Sequence, residues 1–168
     1  MTVTDVARDR ANRTLTLTAE YPAAPEQVWQ LWADPRLLER WWGPPTYPAT
    51  VVDHSLRPGG KVTYFMTSPE GERYHGYWIV QTAQSPSSLE FEDGFADADG
   101  NPSDTMPTSR SQVRIEAADA GTTRMVITSD FPSDEAMDQL IQMGMEEGMR
   151  LAVGQTDELL RETVAARP

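Results

Sequence analysis

The change of hydrophobic period along the chain most constrains how it can fold. From about residue 50 to 131 apolar residues alternate with polar ones, as in strands buried on one face. From Ser133 to about residue 164 they return every three or four positions, as along one stripe of a helix. The spacing predicts strands over residues 13–20, 50–56, 61–67, 73–82, 89–95, 109–117 and 122–131, with a long polar loop over 97–107. In the first of these, Leu15, Leu17 and Ala19 share a face opposite Thr14, Thr16 and Thr18. Pro25 suits the first turn of a helix carrying Val28, Leu31 and Trp32, and a second short helix over 35–42 is stopped by Gly43-Pro44-Pro45. Ser133 is a good cap for the final helix, with Asp134 and Glu135 at its positive end.

Strands spaced this closely with short turns imply an antiparallel meander. Its apolar face must be covered, and only the last helix is long enough to cover it. The predicted class is therefore α+β, a curved sheet against one C-terminal helix, with two short helices after the first strand. At 168 residues the chain fits one domain. The expected division is a flexible leader over 1–12, the domain over 13–164 and a tail over 165–168.

Charge and composition narrow the function classes. The net charge of −12, with Lys61 the one lysine, argues against nucleic acid and anionic membranes, which both select clustered basic residues. The absence of cysteine removes disulfides and thiolate chemistry. The N-terminal stretch has no apolar run, and nothing approaches the roughly 20 apolar residues that cross a bilayer, so a cytoplasmic location is expected. No metal or cofactor is expected either. The segment Asp97, Asp99, Asn101 resembles the start of a calcium loop, but Pro102 stands where the required glycine belongs.

Strand alternation shows what faces the last helix: Val62, Tyr64 and Met66; Tyr74, Gly76, Trp78 and Val80; Leu89 and Phe91; Val113 and Ile115; Met125 and Ile127. The helix answers with Met137, Leu140, Ile141, Gly144, Gly148 and Ala152 along one stripe, with Met145, Met149 and Leu159 beside or beyond it. Each interior helix glycine costs about 1 kcal/mol relative to Ala, so Gly144 and Gly148 want a reason. Opposite them Gly76 sits between two large aromatics. Small residues on both walls describe either an apolar pocket with an adaptable lining, or a close approach or kink of the helix with no void. His54 and His75 are the titratable candidates for acid–base work, yet neither has a partner at metal-ligand spacing. His54 alternates with Val52 and Leu56, and Asp53 points to the other face.

The segment Ala24–Trp29 (AlaProGluGlnValTrp), the Trp41-Trp42-Gly43-Pro44 stop, Arg57-Pro58-Gly59-Gly60 before a strand and GlyMetGluGluGlyMet over 144–149 occur in an order that resembles a known group. The chain is similar to the START-like, helix-grip (SRPBCC) superfamily, in the branch of the C-terminal domain of the Hsp90 ATPase activator. That resemblance covers roughly residues 13–162 and implies a sheet of about seven strands gripping the long helix, with a cavity between them. It carries over no shared catalytic set, and the metal ligands of the oxygenase members have no counterpart here. Two positions depart from the pattern: Ser55 replaces a common Asp, and Met149 replaces a common Trp.

The reading is a binder of a small hydrophobic or aromatic molecule, acting as monomer or homodimer. The expected lining is Trp32, Trp41, Tyr64, Met66, Tyr74, Gly76, Trp78, Phe91 and Met125 from one side, and Gly144, Met145, Gly148 and Met149 from the helix. One alternative is a polyketide cyclase- or hydrolase-like enzyme using His54, His75 or a pocket tyrosine. Another, implied by the resemblance, is a co-chaperone that stimulates an ATPase.

Overall fold

The computed structural model describes residues 2–165. Its eight strands are β1 (Val3–Asp9), β2 (Thr14–Tyr21), β3 (Ala49–His54), β4 (Lys61–Thr67), β5 (Arg73–Gln84), β6 (Ser88–Ala96), β7 (Ser109–Ala117) and β8 (Thr123–Asp130). They form one antiparallel sheet in the order β1-β2-β8-β7-β6-β5-β4-β3. Helices α1 (Pro25–Ala33) and α2 (Pro35–Trp41) connect β2 to β3, and α3 (Asp134–Gln142), α4 (Met145–Gly154) and α5 (Thr156–Ala165) follow the sheet. This is the α+β helix-grip arrangement.

The segment expected as a loose leader is a strand. β1 pairs with β2 from Asp9↔Thr14 to Val3↔Ala19, and this makes the sheet eight-stranded rather than seven-stranded. Its sequence is polar because β1 is an edge with most side chains exposed, so it has no alternation to read. Two ion pairs reach from it to the helical side: Arg8 donates to Glu146 at 2.7 Å, and Arg10 donates to Asp138. Of the expected tail, Ala165 ends α5, and the remainder lies outside the described residues.

The final helical run is divided. Ser133 caps α3 as expected, its side chain accepting from the Ala136 N–H at 3.0 Å. α3 ends at Gln142 with Met143 as its cap, and Gly144 then adopts φ +93°, a left-handed conformation that glycine takes at no steric cost. The chain changes direction there and α4 begins. Gln155 separates α4 from α5, its side-chain amide donating to the Gly43 carbonyl at 2.8 Å. Thr156 follows, sharing a 2.8 Å hydrogen bond with the buried Tyr21 hydroxyl. These two contacts fasten the helical run to the end of α2 and to β2.

The core lies between the sheet and the helices. Leu17 and Ala19 of β2 pair with Ile127 and Met125 of β8, all buried and all on the inner face. β3 departs from simple alternation. Ala49 and Val51 alternate inward with Val52 exposed, and a bulge between Val51 and Asp53 reverses the faces beyond it. His54 therefore does not share a face with Val52; its Nε2 lies 2.9 Å from the Trp32 carbonyl oxygen, so it joins the strand to α1.

Candidate functional site

A cavity of about 290 Å³ opens between one end of the sheet and the helices. Tyr64 and Met66 of β4, Tyr74 and Gly76 of β5, and Asp93 and Phe95 of β6 line the sheet side. Leu140 of α3, Gly144, and Met145, Gly148, Met149 and Ala152 of α4 line the helix side. Trp41, Trp42 and Pro44 close a third side. The lining is mostly apolar, with four methionines (Met66, Met143, Met145 and Met149) that can repack around different shapes.

The two glycine walls behave differently. A Cβ built on Gly148 meets nothing within 4 Å, so this glycine faces open space instead of permitting close packing. Gly144 likewise meets nothing, and its left-handed backbone supplies the turn into α4. Gly76 is the opposite case: a Cβ there would lie 2.4 Å from Tyr64 Cζ and from Tyr64 Oη. The expected notch on the sheet is therefore filled by the Tyr64 ring, which lies directly on the Gly76 backbone, its register partner across β4 and β5.

Four expected lining residues belong to the solid core instead. Trp32, Trp78, Phe91 and Met125 are fully buried and do not border the cavity. Trp78 stacks on Phe91 with centroids 4.0 Å apart, and Trp32 meets Trp41 edge-on at 4.8 Å. The Trp32 indole N–H donates to Met125 Sδ at 3.2 Å. Alternation put Trp78, Phe91 and Met125 on the right face, but Trp32 of α1 and Trp42 at the end of α2 pack down onto them and fill the space. Trp41, Tyr64, Met66, Tyr74, Gly76, Gly144, Met145, Gly148 and Met149 do border the cavity.

Of the two histidines, His75 borders the cavity and packs against Phe65 at 5.6 Å, whereas His54 is held by the Trp32 carbonyl away from it. The titratable group that sequence reasoning missed is Asp93. It continues the inward alternation of Leu89 and Phe91, so the signal was present in the strand. The Tyr64 hydroxyl donates to Asp93 Oδ1 at 3.0 Å. Burial pushes the Asp93 carboxyl up to about 7, while the Tyr64 hydroxyl and the Gly94 N–H act in the opposite direction. Tyr64 is raised well above an ordinary phenol, first by burial and then by the neighbouring Asp93 charge. The Trp42 ring, at the end of α2, meets Tyr64 at 6.0 Å and Trp78 at 4.8 Å, both edge-on.

Among the described residues no cluster of three His, Cys, Asp or Glu could hold a metal ion, and no helix is long and apolar enough to cross a membrane. In the 97–107 loop, the Asp97 carboxylate accepts from the Asp99 and Asn101 backbone N–H groups, both at 2.9 Å. The acidic side chain there holds a turn.

Residues 22–161 match the family of Activator of Hsp90 ATPase homolog 1-like proteins. The chain belongs to this family. It is 50% identical to protein Ms6760 from Mycobacterium smegmatis, with a TM-score of 0.86 and coverage of 94% of this chain and 96% of that one. A protein from Arthrobacter aurescens is 45% identical with a TM-score of 0.91, covering 96% and 93%. DynU16, a protein of the dynemicin biosynthetic locus, is 17% identical with a TM-score of 0.57 over 83% of this chain and 46% of that one, and so shares the fold alone. No curated protein matches. Family membership accounts for the fold and for the order of motifs; the chemistry has to be argued from the cavity.

Proposed function

We propose that this family member is a cytoplasmic binder of a small hydrophobic or aromatic molecule, held between the sheet and α4. The observation that carries this reading is the open space at Gly148. An interior helix glycine costs stability that Ala would recover, and here no packed neighbour requires the missing side chain. The gap instead extends an apolar cavity lined by Met66, Met145 and Met149. Its size, at the lower end of small-molecule sites, suits a compact one- or two-ring body. Titration with the neutral fluorophore N-phenyl-1-naphthylamine tests the reading. Saturable, one-to-one enhancement that Gly148→Leu removes supports it; unsaturable or unchanged binding in the variant speaks against it.

A second reading is favoured by Asp93. A carboxyl titrating near neutrality, in contact with a phenol and bordering an apolar cavity, is poised for general acid–base chemistry of the cyclase or hydrolase kind. Product analysis after prolonged incubation with any molecule that binds tests this, with Asp93→Asn as the control. New products from the native protein and none from the variant establish turnover.

A further inference from the structure

The polar end of the cavity restricts what the bound molecule carries, and this inference rests on the binding reading above. Asp93 has uncharged hydrogen-bond partners only, the Tyr64 hydroxyl at 3.0 Å and the Gly94 N–H. Among the described residues lining the cavity there is no Lys or Arg, and the histidine that borders it, His75, packs against Phe65 and makes no hydrogen bond to Asp93. Both partners are donors, which is the arrangement that serves a carboxylate acting as acceptor. Aromatic rings stand beside it: Trp42 and Tyr64 border the same space and meet edge-on. A carboxylate with no basic side chain bonded to it attracts a cation, and the net charge of −12 attracts one from a distance.

We propose that Asp93 receives a protonated amine, so that the natural ligand is a compact apolar or aromatic body bearing one basic nitrogen. Asp93 accepts from the ammonium, Tyr64 keeps the carboxylate oriented, and the methionine-lined remainder of the cavity takes the apolar part.

Two probes of the same shape, 2-naphthylmethylamine and 2-naphthalenemethanol, separate charge from fit. Titrations at pH 7.5 follow intrinsic tryptophan fluorescence in the native protein and in Asp93→Asn. The variant keeps an oxygen that can accept from Tyr64, and circular dichroism checks its fold. The expected result is that the amine binds the native protein at least tenfold more tightly than the alcohol. Asp93→Asn then removes that preference. Equal binding of the two probes by the native protein overturns the inference without recourse to any variant, and so does a preference that survives in Asp93→Asn. In either case the alcohol still binds and the cavity reading stands. If neither probe binds, and N-phenyl-1-naphthylamine does not bind either, the inference and the cavity reading fall together.

Discussion

The Tyr64 ring rests on the backbone of Gly76, with the Cζ and Oη atoms 2.4 Å from where a Cβ would stand. That contact places the phenol hydroxyl 3.0 Å from Asp93 Oδ1, so the missing side chain on β5 orients the polar end of the cavity. Gly76→Ala must push the ring away. We expect a loss of about 1–3 kcal/mol, the usual cost of overpacking, together with a change in the Asp93 titration as Tyr64 moves off it. Urea denaturation reads the first effect and carboxyl carbon NMR against pH reads the second. Unchanged stability would show that the sheet yields more easily than the geometry implies.

Gly148→Leu should behave in the opposite way. Nothing stands within 4 Å of the new Cβ, and Leu is favoured over Gly in a helix by up to about 1 kcal/mol. The melting temperature should hold or rise while probe binding disappears. A variant that unfolds would show that α4 needs close approach to the sheet.

Asp93 gives the fold a pH signature. Its folded pKa of about 7 lies above the ordinary carboxyl value, chiefly because of burial, with Tyr64 its hydrogen-bonded phenol and Tyr77 a second phenol nearby. The folded state therefore binds more protons than the unfolded state between about pH 4 and 7, so this group makes stability fall as pH rises through that window. Asp93→Asn cannot ionise and should be more stable than the native protein at pH 8, by up to about 4 kcal/mol, with the advantage vanishing below pH 4. Thermal melts of both proteins from pH 4 to 8 check the sign. A constant difference across that range would contradict it.

Deleting residues 1–10 should cost more than removal of a loose leader would. The deletion removes β1, exposes the long edge of β2 and breaks the Arg8–Glu146 and Arg10–Asp138 pairs. The ion pairs are solvent-exposed and contribute little, so most of the loss comes from the strand. A lower melting temperature and a tendency to associate through β2 are expected. Size-exclusion chromatography and calorimetry show whether either occurs.

β1 differs from β4 and β7 in what its sequence discloses. Strands with one buried face were legible because burial imposes alternation: Lys61–Thr67 and Ser109–Ala117 fall where the period places them. β1 has no such face, and its pairing with β2 leaves no imprint on hydrophobicity. The bulge at Val51/Asp53 was hidden for a related reason, since one extra residue reverses the faces beyond it without changing composition. At the site, alternation chose the inward side of each strand correctly but not the depth. Trp78 and Phe91 point the same way as Tyr64, yet packing from α1 and α2 buries them below the cavity. Asp93 lies on the Leu89, Phe91 face, but its burial and its Tyr64 partner on β4 come from packing that the pattern within β6 does not carry.

The central claim, an apolar molecule held against α4, is most directly tested by methyl NMR of the protein labelled at methionine Cε, titrated with N-phenyl-1-naphthylamine. The methionines report from distinct places: Met66, Met145 and Met149 border the cavity, while Met125 and Met137 are buried in the core away from it. The account predicts saturable shifts at Met66, Met145 and Met149, with Met125 and Met137 nearly still. Shifts confined to Met125 and Met137, or none at saturating probe, would contradict it.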